Sequence, residues 1–222
     1  MVNIHMITKT DYTVDLTKYS FTNFDDKVVF NEPTGDFFYD PWKIKKEYEG
    51  SMWDEILSTI QQPIGEARLI KMSPGTTYMS HSDIDDRWHL NIQGEESYLI
   101  DLSNKKMHLL EKDNTWYKMN AGVKHVASNF GSIDRIQLVV RSLLRKTIVT
   151  DLIEVTIKPS KDIVDYRYQF DKHISPWLHT VSKLGLMKDF MHDDKTVKFK
   201  TTVRQLQSLP KLDLFEITTK TV

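Results

Sequence analysis

Short apolar stretches alternate with turn-forming residues through the middle of the chain, from residue 67 to residue 144. Turn signals such as Ser73-Pro74-Gly75 and Ala121-Gly122 separate stretches that have the length and composition of strands. About eight strands at this regular interval predict a mainly β sandwich or barrel. The predicted strands are Ala67–Met72, Thr77–His81, Trp88–Ile92, Ser97–Asp101, Lys106–Glu111, Thr115–Met119, His125–Asn129 and Arg135–Leu143.

The segment before this β-rich region carries a helical pattern. Asp40-Pro41 has the form of a helix start, a capping carboxylate followed by proline at the first helical position. We therefore expect residues 42–62 to form one helix interrupted near Gly50, or two short helices with Ser51 capping the second.

The chain beyond the β-rich region mixes both patterns. A second cap-plus-proline start at Ser175-Pro176 predicts a helix that continues to about Met191. Residues 197–203 alternate apolar with polar side chains, which predicts a half-buried strand. The patterns together predict three regions. Residues 1–66 form strands and helices that pack on a barrel, residues 67–145 form the barrel, and residues 146–222 form an α+β appendage.

Composition excludes several classes of protein. A chain of 222 residues with 40% hydrophobic residues can bury a substantial core. The formal net charge of −1 argues against a dedicated nucleic-acid binder, which carries a basic excess. The absence of cysteine excludes disulfides, zinc–thiolate sites and cysteine nucleophiles.

The N-terminal residues show no apolar run typical of a signal peptide, and no stretch approaches the roughly 18 apolar residues of a membrane span. We therefore expect a cytoplasmic protein that has no membrane partner.

Two histidines and an aspartate have the spacing of a metal site. His81 and Asp83 form an H-x-D pair, which a strand presents on one side, and His125 follows 44 residues later. Two imidazoles and one carboxylate on one face of Fe(II) leave its other coordination positions open, as in non-haem iron oxygenases. Asp85 and Asp86 are alternatives for the carboxylate ligand.

Arg135, ten residues after His125, is placed to meet the far end of a dicarboxylic co-substrate. A guanidinium offers a carboxylate a planar, two-pronged hydrogen-bonding partner. Arg135, Gln137 and Arg141 share one face of their predicted strand, and that face suits either a ligand-lined interior or solvent. Arg141 is therefore the alternative for the role of Arg135.

Three blocks of sequence resemble the aspartyl/asparaginyl β-hydroxylase family. Pro74-Gly75-Thr76-Thr77-Tyr78-Met79-Ser80-His81 is similar to its P-G-x5-H stretch, and Arg87-Trp88-His89-Leu90 is similar to the R-x-H-[LI] run that follows. His125, Asn129 and Arg135 resemble its third block, H-x3-N-x5-R. Each block alone is weak, but three in the right order with matching internal spacing are fairly specific.

This resemblance implies a double-stranded β-helix, a jelly-roll or cupin-like barrel, and a hydroxylase dependent on Fe(II) and 2-oxoglutarate. It implies iron ligands at His81, Asp83 and His125, a co-substrate arginine at Arg135, and Arg87 and His89 beside the co-substrate carboxylate that chelates iron. The animal enzymes that name the family lack the carboxylate ligand. Because Asp83 is present, the chain is more similar to a bacterial branch that includes free-proline hydroxylases.

The substrate expected from this resemblance is an amino acid or an amino-acid side chain in a peptide or protein. Asn129 is either a hydrogen-bonding group behind the metal ligands or a turn residue at the barrel end. The candidates for the substrate pocket are Tyr78, Trp88, Asn91, Trp116 and Arg141, although aromatic residues in such a region more often belong to the core.

Two rival functions fit the same sequence. One is a β-barrel binding module that holds a metal without catalysis, and the other is a metal-dependent dioxygenase that does not use 2-oxoglutarate. Arg135 distinguishes both rivals from a hydroxylase that depends on 2-oxoglutarate, because a site that binds no five-carbon diacid does not need this arginine. The appendage beyond residue 146 is a candidate cover for the barrel mouth, a homodimer contact or a platform for a protein substrate.

Overall fold

The computed structural model describes residues 5–21, 27–147, 149–160, 163, 165–210 and 213–222. Within these ranges the chain is mainly β, with several antiparallel sheets and few helices, which confirms the predicted class. No helix in the described ranges has both the length and the apolar character needed to cross a bilayer.

The strands are β1 (Ile7–Thr13), β2 (Asn31–Pro33), β3 (Trp42–Ile44), β4 (Ile64–Met72), β5 (Arg87–Gln93), β6 (Ser97–Asp101), β7 (Lys106–Leu109), β8 (Thr115–Met119), β9 (His125–Asn129), β10 (Arg135–Ser142), β11 (Leu152–Pro159), β12 (Lys188–Asp193), β13 (Thr196–Thr202) and β14 (Phe215–Thr221). The α-helices are α1 (Met52–Ser58), α2 (Tyr166–His173), α3 (Ser175–Lys183) and α4 (Val203–Leu206), and short 3-10 turns span Leu16–Lys18 and Lys46–Tyr48.

A five-stranded antiparallel sheet in the order β1-β8-β5-β10-β4 forms one wall of the molecule. Successive residues of a strand point to opposite faces, so each strand of this sheet contributes side chains to both faces of the sheet. One face, here called the outer face, carries apolar side chains that pack against α1 and the N-terminal segments. Its core residues include Leu69, Trp88, Leu90, Trp116, Ile136, Leu138 and Val140.

Helix α1 begins at Ser51, whose side chain accepts a hydrogen bond from the backbone N–H of Trp53. Trp53 and Ile56 are buried on the side of the helix that faces the sheet. At the end of the helix, the indole N–H of Trp116 donates to the hydroxyl of Thr59, 2.9 Å away. These contacts close the outer face of the five-stranded sheet.

A three-stranded sheet in the order β7-β6-β9 lies opposite the other face of the five-stranded sheet, here called the inner face. Isolated bridges from Thr77 to Ser128 and from His81 to His125 attach the residues before β5 to its β9 edge. Leu99 from this sheet shares a small buried cluster with Tyr117 and Met119 of β8. The two sheets therefore meet through apolar contacts on one side and leave a cavity beside them.

The C-terminal residues form a second β structure with its own core. Strands β12-β13-β11-β14 pair in that order, and α2 and α3 pack on the sheet. Two hydroxyls on α3 tie this unit to the segment before β5. Ser175 donates to the carbonyl of Ser82 at 3.1 Å, and Ser182 donates to that of Ile84 at 3.2 Å.

The strands predicted between residues 67 and 144 agree with β4 to β10, except that residues 77–81 form two isolated bridges instead of a regular strand. Two helix predictions are wrong in extent. Residues 42–44 form β3, because they pair with Asn31–Pro33, and the helix is confined to α1. The helix at Ser175 ends at Lys183, shortly before Gly185 adopts a φ of 67°, and β12 follows.

Candidate metal centre

The triad of His81, Asp83 and His125 is held together by backbone pairing. His81 and His125 exchange two backbone hydrogen bonds, with N–O distances of 3.0 and 2.9 Å. The backbone N–H of Asp83 donates to the carbonyl of Ala121 at 2.8 Å. The segment before β5 and the start of β9 therefore lie side by side, and ligands 44 residues apart in sequence become neighbours in space.

The three side chains converge on one point. One possible ligand atom from each residue lies within 4.8 Å of the others, so the group could hold a metal ion. The carboxylate oxygen Oδ2 of Asp83 is 3.7 Å from Nε2 of His81 and 3.8 Å from Nε2 of His125. Two ligands at ~2.1 Å from a metal and ~90° apart would be ~3 Å from each other, so a bound ion requires only a small contraction.

The tautomer of both histidines suits metal binding. Nδ1 of His81 lies 2.9 Å from the carbonyl of Met79, and Nδ1 of His125 lies 2.7 Å from the carbonyl of Val123. A carbonyl can only accept, so each Nδ1 carries the proton and donates it. Each Nε2 is left with a free lone pair directed at the triad centre, which is the arrangement that orients histidine ligands.

Electrostatics place the ligands in the protonation states a metal requires. Burial alone would raise the pKa of Asp83, but the charges of Arg87, His81 and His125 outweigh it and lower the pKa to about 2. Burial, together with the neighbouring His81, lowers the pKa of His125 to about 4. At neutral pH the site therefore presents a carboxylate and a neutral buried imidazole, without first releasing protons.

A chain of buried charges supports the aspartate ligand. Nη2 of Arg87 lies 3.0 Å from Oδ1 of Asp83, the oxygen that does not face the histidines. Nη1 of Arg87 donates to Asp85, whose other oxygen accepts a 2.6 Å hydrogen bond from Nε of Arg141. Arg141 in turn lies over the rings of Phe37 and Phe38. Asp85 therefore forms ion pairs with two arginines and does not face the histidines in this arrangement.

Asp86, the other alternative ligand, is also engaged elsewhere. Its carboxylate lies 2.8 Å from Nε2 of His179 and 3.1 Å from Nζ of Lys183, both on α3. Asp86 thus joins the C-terminal unit to the rest of the molecule, and Asp83 is the carboxylate that faces the histidines.

A cavity of about 280 Å³ extends from the triad between the two sheets; we call it the main cavity. Its wall combines the triad with apolar side chains such as Ile70, Leu99 and Val139. Its other polar lining residues include Arg68, Tyr78, Arg87, His89, Arg135 and Gln137.

Arg135 is a buried cation in the main cavity. Its guanidinium donates to the carbonyls of Tyr98 and Ser128, at 3.2 and 3.0 Å, and to the side-chain oxygen of Gln137. Within the described ranges no carboxylate lies in salt-bridge contact with it. Burial lowers the pKa of Arg135 to about 10, which still leaves it charged at neutral pH. An unpaired buried charge is costly, so the site is suited to an anionic ligand.

His89 adds a polar group of a different kind. Its Nδ1 lies 3.3 Å from the side-chain oxygen of Gln137, and its Nε2 is buried with no protein partner among the described residues. Burial and the charge of Arg135 lower the pKa of His89 to about 3, so the ring is neutral. A buried ring nitrogen without a partner is a second indication of a ligand in the cavity.

The remaining sequence candidates fall into different places. Tyr78 lines the main cavity, whereas Trp88 and Trp116 lie on the outer face of the sheet in the hydrophobic core, away from it. Asn91 is buried, and its amide donates to the carbonyls of Gly94 and Leu110. Asn129 donates to the carbonyls of Met72 and Ile133 and accepts from the N–H of Gly131, so it braces the turn that leads to β10.

A smaller cavity of about 120 Å³ lies between the triad segment and the C-terminal unit. It shares Asp83 and Arg87 with the main cavity, and α2 contributes Arg167 and Asp171. Arg141 lines this smaller cavity and is absent from the lining of the main one. This placement removes Arg141 from the position expected of a co-substrate arginine.

Three polar lining residues, Lys27, Arg68 and Gln137, were not among the sequence candidates. Alternation along β10 was a usable signal for Gln137, because it shares a face with Arg135. Arg68 has the corresponding signal in β4, where Ala67 and Leu69 point into the core on either side of it. That signal is weak, because an exposed arginine on an edge strand has the same pattern.

Comparison with models of known protein families and with curated protein sequences finds no match. The geometry defines a mainly β scaffold with a His/Asp/His group that could hold a metal ion.

Proposed function

We propose that this protein is a dioxygenase dependent on Fe(II) and 2-oxoglutarate that hydroxylates an amino acid or an amino-acid side chain, on a double-stranded β-helix. The observation that carries the proposal is the combination, in one cavity, of the triad with a buried arginine that has no carboxylate partner among the described residues. A structural metal site would need the triad but not Arg135.

The donor set favours iron over the commoner alternatives. Two imidazoles and one carboxylate match the facial triad of non-haem Fe(II) enzymes, whereas structural zinc sites use four protein ligands and magnesium prefers an all-oxygen shell. Within the described ranges no further histidine or acidic residue joins the group. When bound, iron and 2-oxoglutarate would together supply the oxidising power for hydroxylation of an unactivated C–H bond.

The residues of the chain have distinct parts in this proposal. Arg135 binds the distal carboxylate of 2-oxoglutarate through a planar pair of hydrogen bonds. His89, whose Nε2 has no partner among the described residues, would offer the bound co-substrate a hydrogen-bonding group, and Arg87 fixes the orientation of the Asp83 carboxylate. Ile70, Leu99 and Val139 line the cavity with apolar surface, which excludes water from the reacting groups.

The test is succinate formation from 2-oxoglutarate by the purified chain under air with Fe(II) and ascorbate. We expect succinate from the wild-type protein and none from His125→Ala. His173→Ala is the matched control, because this histidine lies at the end of α2 and lines neither cavity. Metal binding without any 2-oxoglutarate binding or turnover would contradict the proposal and would favour a non-catalytic metal-binding module.

A further inference from the structure

Arg68 is the second arginine on the inner face of the sheet that is positioned to bind a ligand. On β4 it pairs with Val139, which in turn pairs with His89 on β5. The three side chains therefore lie in one row across the sheet and face the main cavity, which all three line. β4 is the last strand of its sheet order, so this row ends at the side of the cavity.

The charge of Arg68 is available for a ligand. Its nearest carboxylate is Glu66, with an Nη1–Oε2 distance of 3.8 Å, which is too long for a hydrogen bond. The side chain is 37% exposed, in contrast to the buried Arg135. Arg68 lines the same cavity as His81, Asp83 and His125, so its guanidinium faces the space next to the triad.

Arg68 and Arg135 occupy different depths of the same cavity. Arg135 pairs with Met72, four residues along β4 from Arg68. This offset corresponds to roughly 13 Å of strand, so the two backbone positions are well separated. Arg87 is paired with Asp83 and Asp85. If the buried Arg135 binds the co-substrate, Arg68 and the more exposed Lys27 are left as the cations for a second anionic group, and Arg68 is the one held on a strand of the sheet.

We propose that the substrate is a free amino acid and that Arg68 binds its α-carboxylate. This inference rests on the proposed function and deepens it. A residue within a peptide chain has its α-carboxyl group in an amide bond, so only an acidic side chain or the C-terminus of a peptide could offer Arg68 a carboxylate. A free α-amino acid offers a carboxylate that a guanidinium can bind with two hydrogen bonds.

The first experiment is a binding measurement that does not depend on turnover. The twenty protein amino acids and their α-amides are tested against the metal-free chain by ligand-observed saturation-transfer NMR. We expect at least one amino acid to bind and its amide to bind roughly ten- to a hundredfold more weakly, because a charge-assisted hydrogen bond is lost. Equal binding of acid and amide, or no binding by any amino acid, would overturn the proposal.

The second experiment uses matched variants of β4. Arg68→Gln removes the charge on the inner face, and Lys71→Gln removes one from the same strand at nearly the same exposure, 38%, where its partner is Asp134. We expect Arg68→Gln to weaken binding of the amino acid by roughly ten- to a hundredfold, Arg68→Lys to recover part of it, and Lys71→Gln to bind as the wild type does.

Succinate release separates failure of this inference from failure of the proposed function. With 2-oxoglutarate and the bound amino acid, Arg68→Gln should raise the apparent KM for the amino acid by a far larger factor than that for 2-oxoglutarate. A larger effect on 2-oxoglutarate would assign Arg68 to the co-substrate and overturn the inference while leaving the oxygenase proposal intact. Amino-acid binding that depends on Arg68, without 2-oxoglutarate turnover, would contradict only the proposed function.

Discussion

At the scale of single residues, the candidate site depends on how each polar group is satisfied. His81 and His125 both donate Nδ1–H to a carbonyl two residues earlier, which directs both Nε2 atoms to one point. The two buried arginines beside them differ sharply. Arg87 is held by Asp83 and Asp85, whereas Arg135 has only neutral acceptors in the described ranges. This difference predicts that replacing Arg87 destabilises the fold far more than replacing Arg135.

We expect Arg135→Met to change the free energy of unfolding of the ligand-free protein by less than about 1 kcal/mol, because it removes a costly unpaired charge along with hydrogen bonds to neutral groups. The same variant should weaken 2-oxoglutarate binding by about 2–5 kcal/mol. Denaturant unfolding and a binding titration measure the two effects.

Arg87→Met is the comparison for that experiment. It leaves the buried carboxylates of Asp83 and Asp85 without this shared cation, so it should destabilise the fold by about 3–5 kcal/mol. Equal destabilisation by both variants would show that Arg135 is a structural residue.

At the scale of elements, the candidate site depends on the contact between α3 and the segments that carry the ligands. The turn Ala121-Gly122 precedes β9, and a Cβ atom added at Gly122 would overlap the imidazole of His179. The same imidazole bonds to Asp86, three residues after Asp83. One helix of the C-terminal unit therefore touches both parts of the chain that supply the triad.

Gly122→Ala should destabilise the protein by about 1–3 kcal/mol, because His179 has to move and its bond to Asp86 is disturbed. Gly131→Ala is the matched control in another turn, where the added Cβ meets its nearest atom at 3.4 Å, an ordinary contact. Thermal unfolding of both variants tests this, and similar melting temperatures would rule out a tight contact at Gly122.

Asp86 also predicts a dependence of stability on pH. Burial would raise the pKa of Asp86, but its bonds to His179 and Lys183 lower it below the ordinary value. A lowered pKa in the folded state means that Asp86 stabilises the fold above the unfolded pKa of about 3.9. That contribution is lost as the pH falls through the folded-state pKa.

Asp86→Asn should therefore cost about 1–2 kcal/mol at pH 7, and the difference from the wild type should shrink below about pH 4. Urea unfolding across this range provides the measurement. Asp189→Asn is the control, since Asp189 forms an ion pair at the surface, where such pairs contribute little. A difference that stays constant with pH would contradict the electrostatic explanation.

At the scale of the whole molecule, the triad connects segments that are distant in sequence. His81 and Asp83 belong to the segment before β5, which α3 holds from one side, and His125 begins β9 in the three-stranded sheet. An ion bound by all three would crosslink these parts only in the folded state. Metal binding is therefore expected to stabilise the entire chain.

Fe(II) added under nitrogen at a hundred times its dissociation constant should raise the free energy of unfolding by about 2.7 kcal/mol. The melting temperature should rise accordingly, and Asp83→Asn should remove the effect. Asp134→Asn, which changes a surface carboxylate paired with Lys71, should keep it. A rise of the same size in Asp83→Asn would exclude this aspartate as a ligand.

The sequence by itself determined the strands and the ligand set, because both depend on local order. Short strand-like stretches between turn signals mark β4 to β10, and an H-x-D pair before a strand followed by a distant histidine predicts the triad that the structure brings together. Only the tertiary structure decided which face of a strand meets the cavity. Arg141 and Trp88 were also candidates for the cavity, yet Arg141 forms an ion pair with Asp85 and Trp88 lies in the hydrophobic core.

The dependence on long-range packing also explains why the extents of two predicted helices were wrong and why Arg68 was not among the site candidates. Residues 42–44 become a strand because a partner strand is available, and propensity is weaker than pairing with a neighbour. Whether an arginine faces solvent or the candidate site depends on what packs opposite its strand, and residues such as Leu99 and Ala127 are remote from Arg68 in the sequence. Local sequence pattern determines the secondary structure elements, while long-range packing decides which of their charged side chains face the cavity.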